Sequence, residues 1–383
     1  MRQTGKATDA STTFDRHFIE KCLSTALGLD STTGAISVQT SAAGITVVPH
    51  FPSTQVVDMA YYEQVYHVLA QACFPFYTVL KPAGMTTKAL YHTVKTKEGA
   101  KKIAEPATAR GLFFPWIEGT ASRLVLTQAR YDQLSTSGTP AIPLMHPNLV
   151  LDFDQVTHVA ISGQSGSGKS YFLKYLLPYL ASMGTLDLVD PKTDDLYLWY
   201  REASRKGLVS DKDSLLWPAY GTDTDADFLR EVKDTAASVL EKVHQRQAYY
   251  SDEAQNPSHA RPFKHHFFVI DELMALTQGS DKKDRESFFK ILQSIALLGR
   301  SSKVHLILVS QRFSADALPT AIREQLQAIF QLGPITKANT QFLFPDYDPS
   351  GITIPPGQGT GLCQIQSADI TYPQPFMSPT IKD

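Results

Sequence analysis

The sequence predicts an α/β protein: a mostly parallel sheet with helices on both faces, preceded by a smaller α+β module. Three observations carry this. After residue 150, short apolar runs alternate with helical stretches, as in sheets whose parallel strands are joined by crossover helices. A glycine-rich segment, GQSGSGKS (163–170), stands between one such run and an amphipathic stretch. A later run, FFVI (267–270), ends directly in Asp271-Glu272.

Residues 1–12 are polar and expected to fray. Residues 13–133 form the expected α+β module, with helices over 14–28 and 61–72 and strands over 35–48, 78–81 and 123–127. Residues 134–150, carrying Gly138, Pro140, Pro143 and Pro147, are expected to be a connecting segment. The main domain spans 151–370. Its strands are predicted at 158–162, 186–189, 267–270, 304–310, 328–332 and 361–365, with helices over 170–183 and 226–250. Residues 251–265 read as an exposed loop, and 371–383 as a C-terminal tail.

Composition narrows the function classes. The chain has 383 residues and a formal net charge of −2, with a slight basic excess before residue 150 and an acidic one after it. Neither part has the overall excess of a dedicated nucleic-acid binder, so any such contact must be local. Cys22, Cys73 and Cys363 are far apart and form no C-x-x-C pair, which suits a reducing cytoplasm better than a disulfide or zinc framework. No apolar run is long enough for a transmembrane helix, and the N-terminus lacks a signal-peptide core. The most basic stretch, 81–110, holds Lys81, Lys88, Lys95, Lys97, Lys101, Lys102 and Arg110. Two readings stay open for it: a solvated face, the usual fate of a charge run, or a phosphate-backbone contact.

The segment 163–170 is a full match to G-x-x-x-x-G-K-[ST]. Its glycines let the backbone turn tightly and aim N–H groups inward. Gly163, Gln164, Ser165, Gly166, Ser167, Gly168, Lys169, Ser170 and Tyr171 are the expected nucleotide cradle, with phosphates at the helix N-terminus. Lys169 would reach the β- and γ-phosphates and Ser170 would hold Mg²⁺, so the cofactors expected are ATP and Mg²⁺. The strand beside that loop is expected to end in Asp271, on Mg²⁺, and Glu272, polarising the attacking water. Gln311 ends the run VHLILVS; it either caps a loop or touches the γ-phosphate. Arg300, at the end of the preceding helix, is either a surface arginine favoured by the macrodipole or a finger reaching a neighbouring subunit's ATP.

The set GQSGSGKS, LVDPKTDDL (188–196), FFVIDEL and LLGRSSKVHLILVSQR resembles the motor domain of the FtsK/SpoIIIE family, in the FtsK–HerA superfamily of hexameric DNA pumps. The lead-in IPLMHPNLVLDFDQVTHVAISG and the closing IPPGQGTGLCQIQ (354–366) are similar too, so the resemblance covers about 140–370. It implies a RecA-like P-loop NTPase fold, Asp190 and Lys192 near the site, Gln311 as γ-phosphate sensor and Arg300 as trans finger. The implied activity is ATP hydrolysis coupled to DNA translocation by a homo-hexamer gripping DNA through its backbone. Segments 192–197 and 313–319 are the candidate channel loops. Departures are the lack of a membrane-spanning N-terminus and of a C-terminal winged-helix domain, Phe313 in place of the usual proline, and Gln327-Ala328 where an arginine is often found. Gram-positive conjugation coupling proteins are the nearest functional type, with a relaxase or a membrane-anchored transfer protein as further partners. The alternatives are an ATP-gated recruitment protein and a protein-secretion ATPase of the same superfamily.

Overall fold

The computed structural model describes residues 15–29, 35–50, 57–96, 99–105, 108–146, 149–210, 212–218, 225–253, 263–366 and 372–382. The expected frayed residues 1–12, Lys97, and 254–262 of the expected loop lie outside these. The chain falls into two compact units, Met1–Thr120 and Ala121–Asp383.

The first unit contains α1 (Arg16–Ala26), β1 (Ala35–Ser41), β2 (Gly44–His50), α2 (Met59–Ala72), β3 (Tyr77–Val79), β4 (Thr87–Ala89), β5 (His92–Thr96), β6 (Gly99–Ile103) and β7 (Arg110–Glu118). The single strand expected over 35–48 is an antiparallel hairpin instead. Gly44 lies so close to β7 that a Cβ there would meet the Phe114 carbonyl oxygen at 2.3 Å. The sheet runs β1-β2-β7-β3, with β4 also on β7. Asp58 caps α2 through the Tyr61 N–H. Tyr62, Val65, Tyr66 and Leu69, at helical spacing, are buried with Ile45, Val47 and Phe114. Strands β5 and β6 form a separate ribbon on which Lys101 and Lys102 are exposed.

The second unit begins with β8 (Ser122–Arg123), β9 (Val125–Thr127), α3 (Gln128–Ser135), β10 (Ala141–His146) and β11 (Leu149–Asp152). Residues 134–150 are thus not a bare connection. Strand β10 accommodates Pro143 because its register with β11 shifts between Pro143 and Met145, and Ile142 and Leu144 are fully buried. There follow β12 (Val159–Gly163), α4 (Lys169–Met183), β13 (Gly184–Val189), α5 (Asp195–Arg205), β14 (Ser214–Leu216), α6 (Asp225–Glu253), β15 (His265–Ile270), α7 (Leu273–Thr277), α8 (Lys282–Leu298), β16 (Val304–Ser310), α9 (Thr320–Arg323), β17 (Ala328–Leu332), α10 (Lys337–Thr340), β18 (Thr360–Ile365), β19 (Gln374–Met377) and β20 (Thr380–Lys382).

Eight strands make one sheet, in the order β14-β13-β15-β16-β12-β17-β18-β19. The pairs from β14 to β17 are parallel; β18 and β19 add antiparallel strands. The central strands read as unbroken apolar runs because both faces are covered. Val159, Ile161, Phe267, Val269, Ile307 and Val309 face α4 residues such as Phe172, Leu176 and Leu180. Ala160, Phe268, Ile270, Leu306 and Leu308 face Val232 and Val239 of α6 and Phe288, Leu292 and Ile295 of α8. The expected tail is part of this architecture: β19 extends the sheet and β20 pairs in parallel with β9.

Histidines close the N-terminal edge of the sheet. His158 Nδ1 accepts the Leu306 N–H (2.9 Å) and its Nε2 lies 3.0 Å from the Ala296 carbonyl oxygen, so it donates there. His305 Nδ1 donates to the Thr157 carbonyl oxygen at 2.8 Å, leaving Nε2 to accept from His265 Nδ1 at 2.8 Å. The rings of His158 and His305, each accepting at one nitrogen, must be neutral for these bonds.

Candidate active site

The site lies at the opposite, C-terminal edge of the sheet. The loop 164–168 leaves β12, and its shape depends on glycine at two places. At Gly163 a Cβ would meet the Leu332 carbonyl oxygen at 2.4 Å and Ser167 Oγ at 2.6 Å. Gly168 has φ +100°, the left-handed region, and caps α4. Lys169 Nζ donates to the Gln164 carbonyl oxygen at 3.2 Å. Burial lowers the Lys169 ammonium, against the pull of Glu272 and Asp271. Ser167 Oγ is buried and has no hydrogen-bond partner among the described residues. Tyr171 turns its hydroxyl away from the loop, accepting the Ile381 N–H at 3.1 Å.

The acidic pair follows β15, and its position needs one correction. Strand β15 is not beside β12: β16, which ends at Ser310 just before Gln311, lies between them. Burial and the nearby Asp190 and Glu272 carboxylates push the Asp271 carboxyl up to about 6, against Lys192 and Lys169. A half-buried carboxylate crowded by two others favours a cation. Among the described residues no cluster of three His, Cys, Asp or Glu side chains suits a metal. A Mg²⁺ site built from one carboxylate, one hydroxyl and nucleotide phosphates fits this donor set.

Glu272 is turned differently from expectation. Its backbone is left-handed, with φ +56°, and the residue is buried. Oε2 takes the Lys192 ammonium at 2.9 Å, while Oε1 accepts Gln311 N–H at 3.0 Å and Ser310 Oγ at 3.2 Å. Burial would raise its carboxyl, but the Gln311 N–H, Lys192 and Ser310 together hold it below the usual range. Asp190 is buried and spends its carboxylate on the Lys192, Asp194 and Tyr197 N–H groups, shaping the turn into α5. The Gln311 side chain is exposed and, with Gly163, Gln164 and Arg312, lines a cavity of about 110 Å³.

Arg300 is not among the residues brought together. It stands exposed in the turn between α8 and β16, without a side-chain partner among the described residues. The length of β16 separates it from Gln311 by about 20 Å. Phe313 is buried in the α6/α8 core. Sequence reasoning missed Asp195, which pairs with Lys174 at 2.8 Å and whose carboxyl is held below its usual range by Lys174 first and also by Ser170; its place in the acidic run D-D after Lys192 was the available signal. It also missed Arg123, which donates to the Ser378 carbonyl oxygen at 2.8 Å and to that of Gln358. Gly359 N–H, beside Gln358, donates to the Ser167 carbonyl oxygen at 2.9 Å, so Arg123 braces the phosphate loop from behind. No local pattern marks that role.

A mostly parallel sheet with a glycine cradle leading into a helix at its C-terminal edge defines a P-loop NTPase fold. No family model matches the chain. A Bacillus subtilis (strain 168) protein described as FtsK domain-containing protein YdcQ is 26% identical over 208 residues, 54% of this chain and 40% of that protein, so the chain spans well under two thirds of that relative. The structure of the pCW3 conjugation coupling protein TcpA, monomer form with ATPγS, matches with a TM-score of 0.50 at 15% identity, over 96% of this chain and 95% of that one. The cytoplasmic domain of the Thermomonospora curvata type VII secretion ATPase EccC aligns at 20% identity over 64% of this chain and 29% of that one, with a TM-score of 0.46. The likeness to an FtsK domain-containing protein agrees with the resemblance of the motifs to the FtsK/SpoIIIE type. Among the described residues no helix is long and apolar enough to cross a membrane.

Proposed function

We propose that this chain is an ATP-hydrolysing DNA translocase, working in the cytoplasm as a ring of identical subunits in the transfer or partition of a mobile element. One observation carries the reading. Lys169, Asp271, Glu272 and Gln311 come from strands β12, β15 and β16 to one sheet edge, and a free arginine stands at the other. In this reading Lys169 balances the β- and γ-phosphates, and Ser170 and Asp271 hold Mg²⁺, which would neutralise charge on the transferred phosphoryl group. Glu272 orients and deprotonates water, and Gln311 contacts the γ-phosphate. Arg300 is too far from its own phosphate loop to serve it, so a role in hydrolysis must cross a subunit boundary. TcpA is a conjugation coupling protein, and the likeness extends over nearly the whole of both chains, which supports DNA transfer as the setting.

The test is the ATPase rate with and without long duplex and single-stranded DNA, with the assembly state followed by sedimentation. Stimulation by DNA together with a ring under ATP and DNA is the expected result. A rate that no form of DNA changes would sink the translocase reading and favour nucleotide-gated capture of a protein partner.

A further inference from the structure

Every oxygen of the Glu272 carboxylate is already engaged. One is in an ion pair with Lys192 at 2.9 Å, and the other accepts from Gln311 N–H and Ser310 Oγ. Three of the about four acceptor positions of the carboxylate are taken, and the one left, on Oε2, is shared with the Lys192 ammonium, which repels the proton that an attacking water would give up. Two of these donors belong to the end of β16 and its first following residue. The third does not: Lys192 sits in the turn after β13, where its N–H bonds Asp190 Oδ1 at 3.1 Å and the next residue, Thr193, is held at φ +53°. The backbone of this turn is fixed, and the four-carbon stem of the lysine is free to swing from it. The two partners differ in access. The Lys192 side chain is 42% exposed, whereas that of Glu272 is 8% exposed. Anything approaching from outside meets the ammonium first. Lys192 and Lys169 both act on Glu272 and Asp271, so the two lysines converge on the place where phosphates would bind.

We infer that Lys192 is a positioning residue that holds Glu272 idle and releases it when a phosphate oxyanion draws the Lys192 ammonium away. The inference rests on Glu272 being the residue that activates water. An oxyanion competes for Lys192 with the same chemistry whether it is the terminal phosphate of bound nucleotide or the backbone of nucleic acid. In either case hydrolysis is suppressed until the oxyanion arrives, and Lys192 passes from a carboxylate to a phosphate without being left unpaired.

Two readouts test this. The first needs no turnover: hydrogen exchange of the Gln311 amide, which is protected while Glu272 Oε1 accepts it. In the nucleotide-free protein, Lys192→Met should exchange faster than wild type, and Lys192→Arg should stay protected because it preserves the ion pair. Adding ATPγS alone or duplex DNA alone to wild type then identifies the source of the oxyanion by which of them speeds exchange. The second readout is steady-state kinetics without DNA. Where DNA is the source, Lys192→Met should raise kcat by about threefold, the scale of a half-exposed ion pair, with KM unchanged, and Lys192→Arg should restore the wild-type rate; where ATPγS is the source, ATP itself opens the latch in every turnover and Lys192→Met should not exceed wild type. Gln311 exchange that Lys192→Met does not speed, exchange that neither ATPγS nor DNA alters, or an unaccelerated Lys192→Met where only DNA speeds exchange overturns the inference. Failure of the underlying assignment looks different: Glu272→Gln would then turn over at the wild-type rate, whereas a failed latch leaves Glu272→Gln inactive and Gln311 exchange unmoved.

Discussion

Replacing His158 by glutamine should flatten the dependence of stability on pH. His158 is buried between β16 and α8, and both ring nitrogens are committed: one accepts the Leu306 N–H and the other donates to the Ala296 carbonyl oxygen. A second proton would set Nδ1–H against the Leu306 N–H. Burial pushes this imidazole down to about 4, partly offset by the Ala296 bond. The unfolded chain takes up the proton near 6.5, so it binds more protons than the native state in between. The contribution is therefore complete above about pH 7 and is lost as pH falls through 6.5 towards 4. Between pH 7.5 and pH 5.0 the loss from this one ring is about 2 kcal/mol. Asp271 works the other way, since its carboxyl is raised to about 6 and gains its proton first in the folded state. Comparing two proteins that both keep Asp271 removes that contribution. Urea unfolding at the two pH values should show wild type losing about 2 kcal/mol more than His158→Gln over this interval. Parallel losses would refute the claim that His158 is held neutral.

Four further outcomes are expected. Lys169→Ala should abolish tight ATP binding in calorimetry, because Lys169 is the cation at the head of α4 within the phosphate loop, while Lys192 is engaged by Glu272. Glu272→Gln should bind and retain ATP while turnover falls about 10²-fold or more; wild-type turnover would remove Glu272 from the mechanism. Arg300→Ala should bind ATP normally and hydrolyse it about 10³-fold more slowly, and mixing it with Glu272→Gln should restore some activity; no recovery in verified mixed rings counts against a trans finger. Lys101→Ala with Lys102→Ala should shallow the salt dependence of DNA binding and spare DNA-free ATPase, while an unchanged slope returns the β5–β6 ribbon to a solvated surface.

The parts of this protein that were legible in its sequence are those fixed by neighbours along the chain. The run 304–310 reads as a strand because all seven of its residues are buried, and 163–170 reads as a phosphate cradle because its conformation depends on its own glycines. What escaped depends on partners far apart in sequence. Lys192 and Glu272 are 80 residues apart, and Arg123 and Ser378 are 255 apart. Strand β10 was hidden by Pro143, which reads as a breaker until the register shift is seen. The strands β19 and β20 are of four and three residues, too short for periodicity to declare them. The insertion of β16 between β12 and β15 is a matter of strand order, on which periodicity is silent.

The pairing of β9 with β20 has a mechanical consequence. The peptide linking the two units enters the second at Ala121, two residues before Arg123, whose guanidinium grips the Gln358 and Ser378 carbonyls behind the phosphate loop. Two residues past Arg123, β9 begins and runs alongside β20, whose Ile381 is bonded to Tyr171 at the head of α4. Tension arriving through the linker would thus be loaded in shear across the β9–β20 ladder and delivered to the cradle itself. A load on the first unit would therefore reach the loop 164–168 through the chain and the β9–β20 ladder, without first passing through the central sheet.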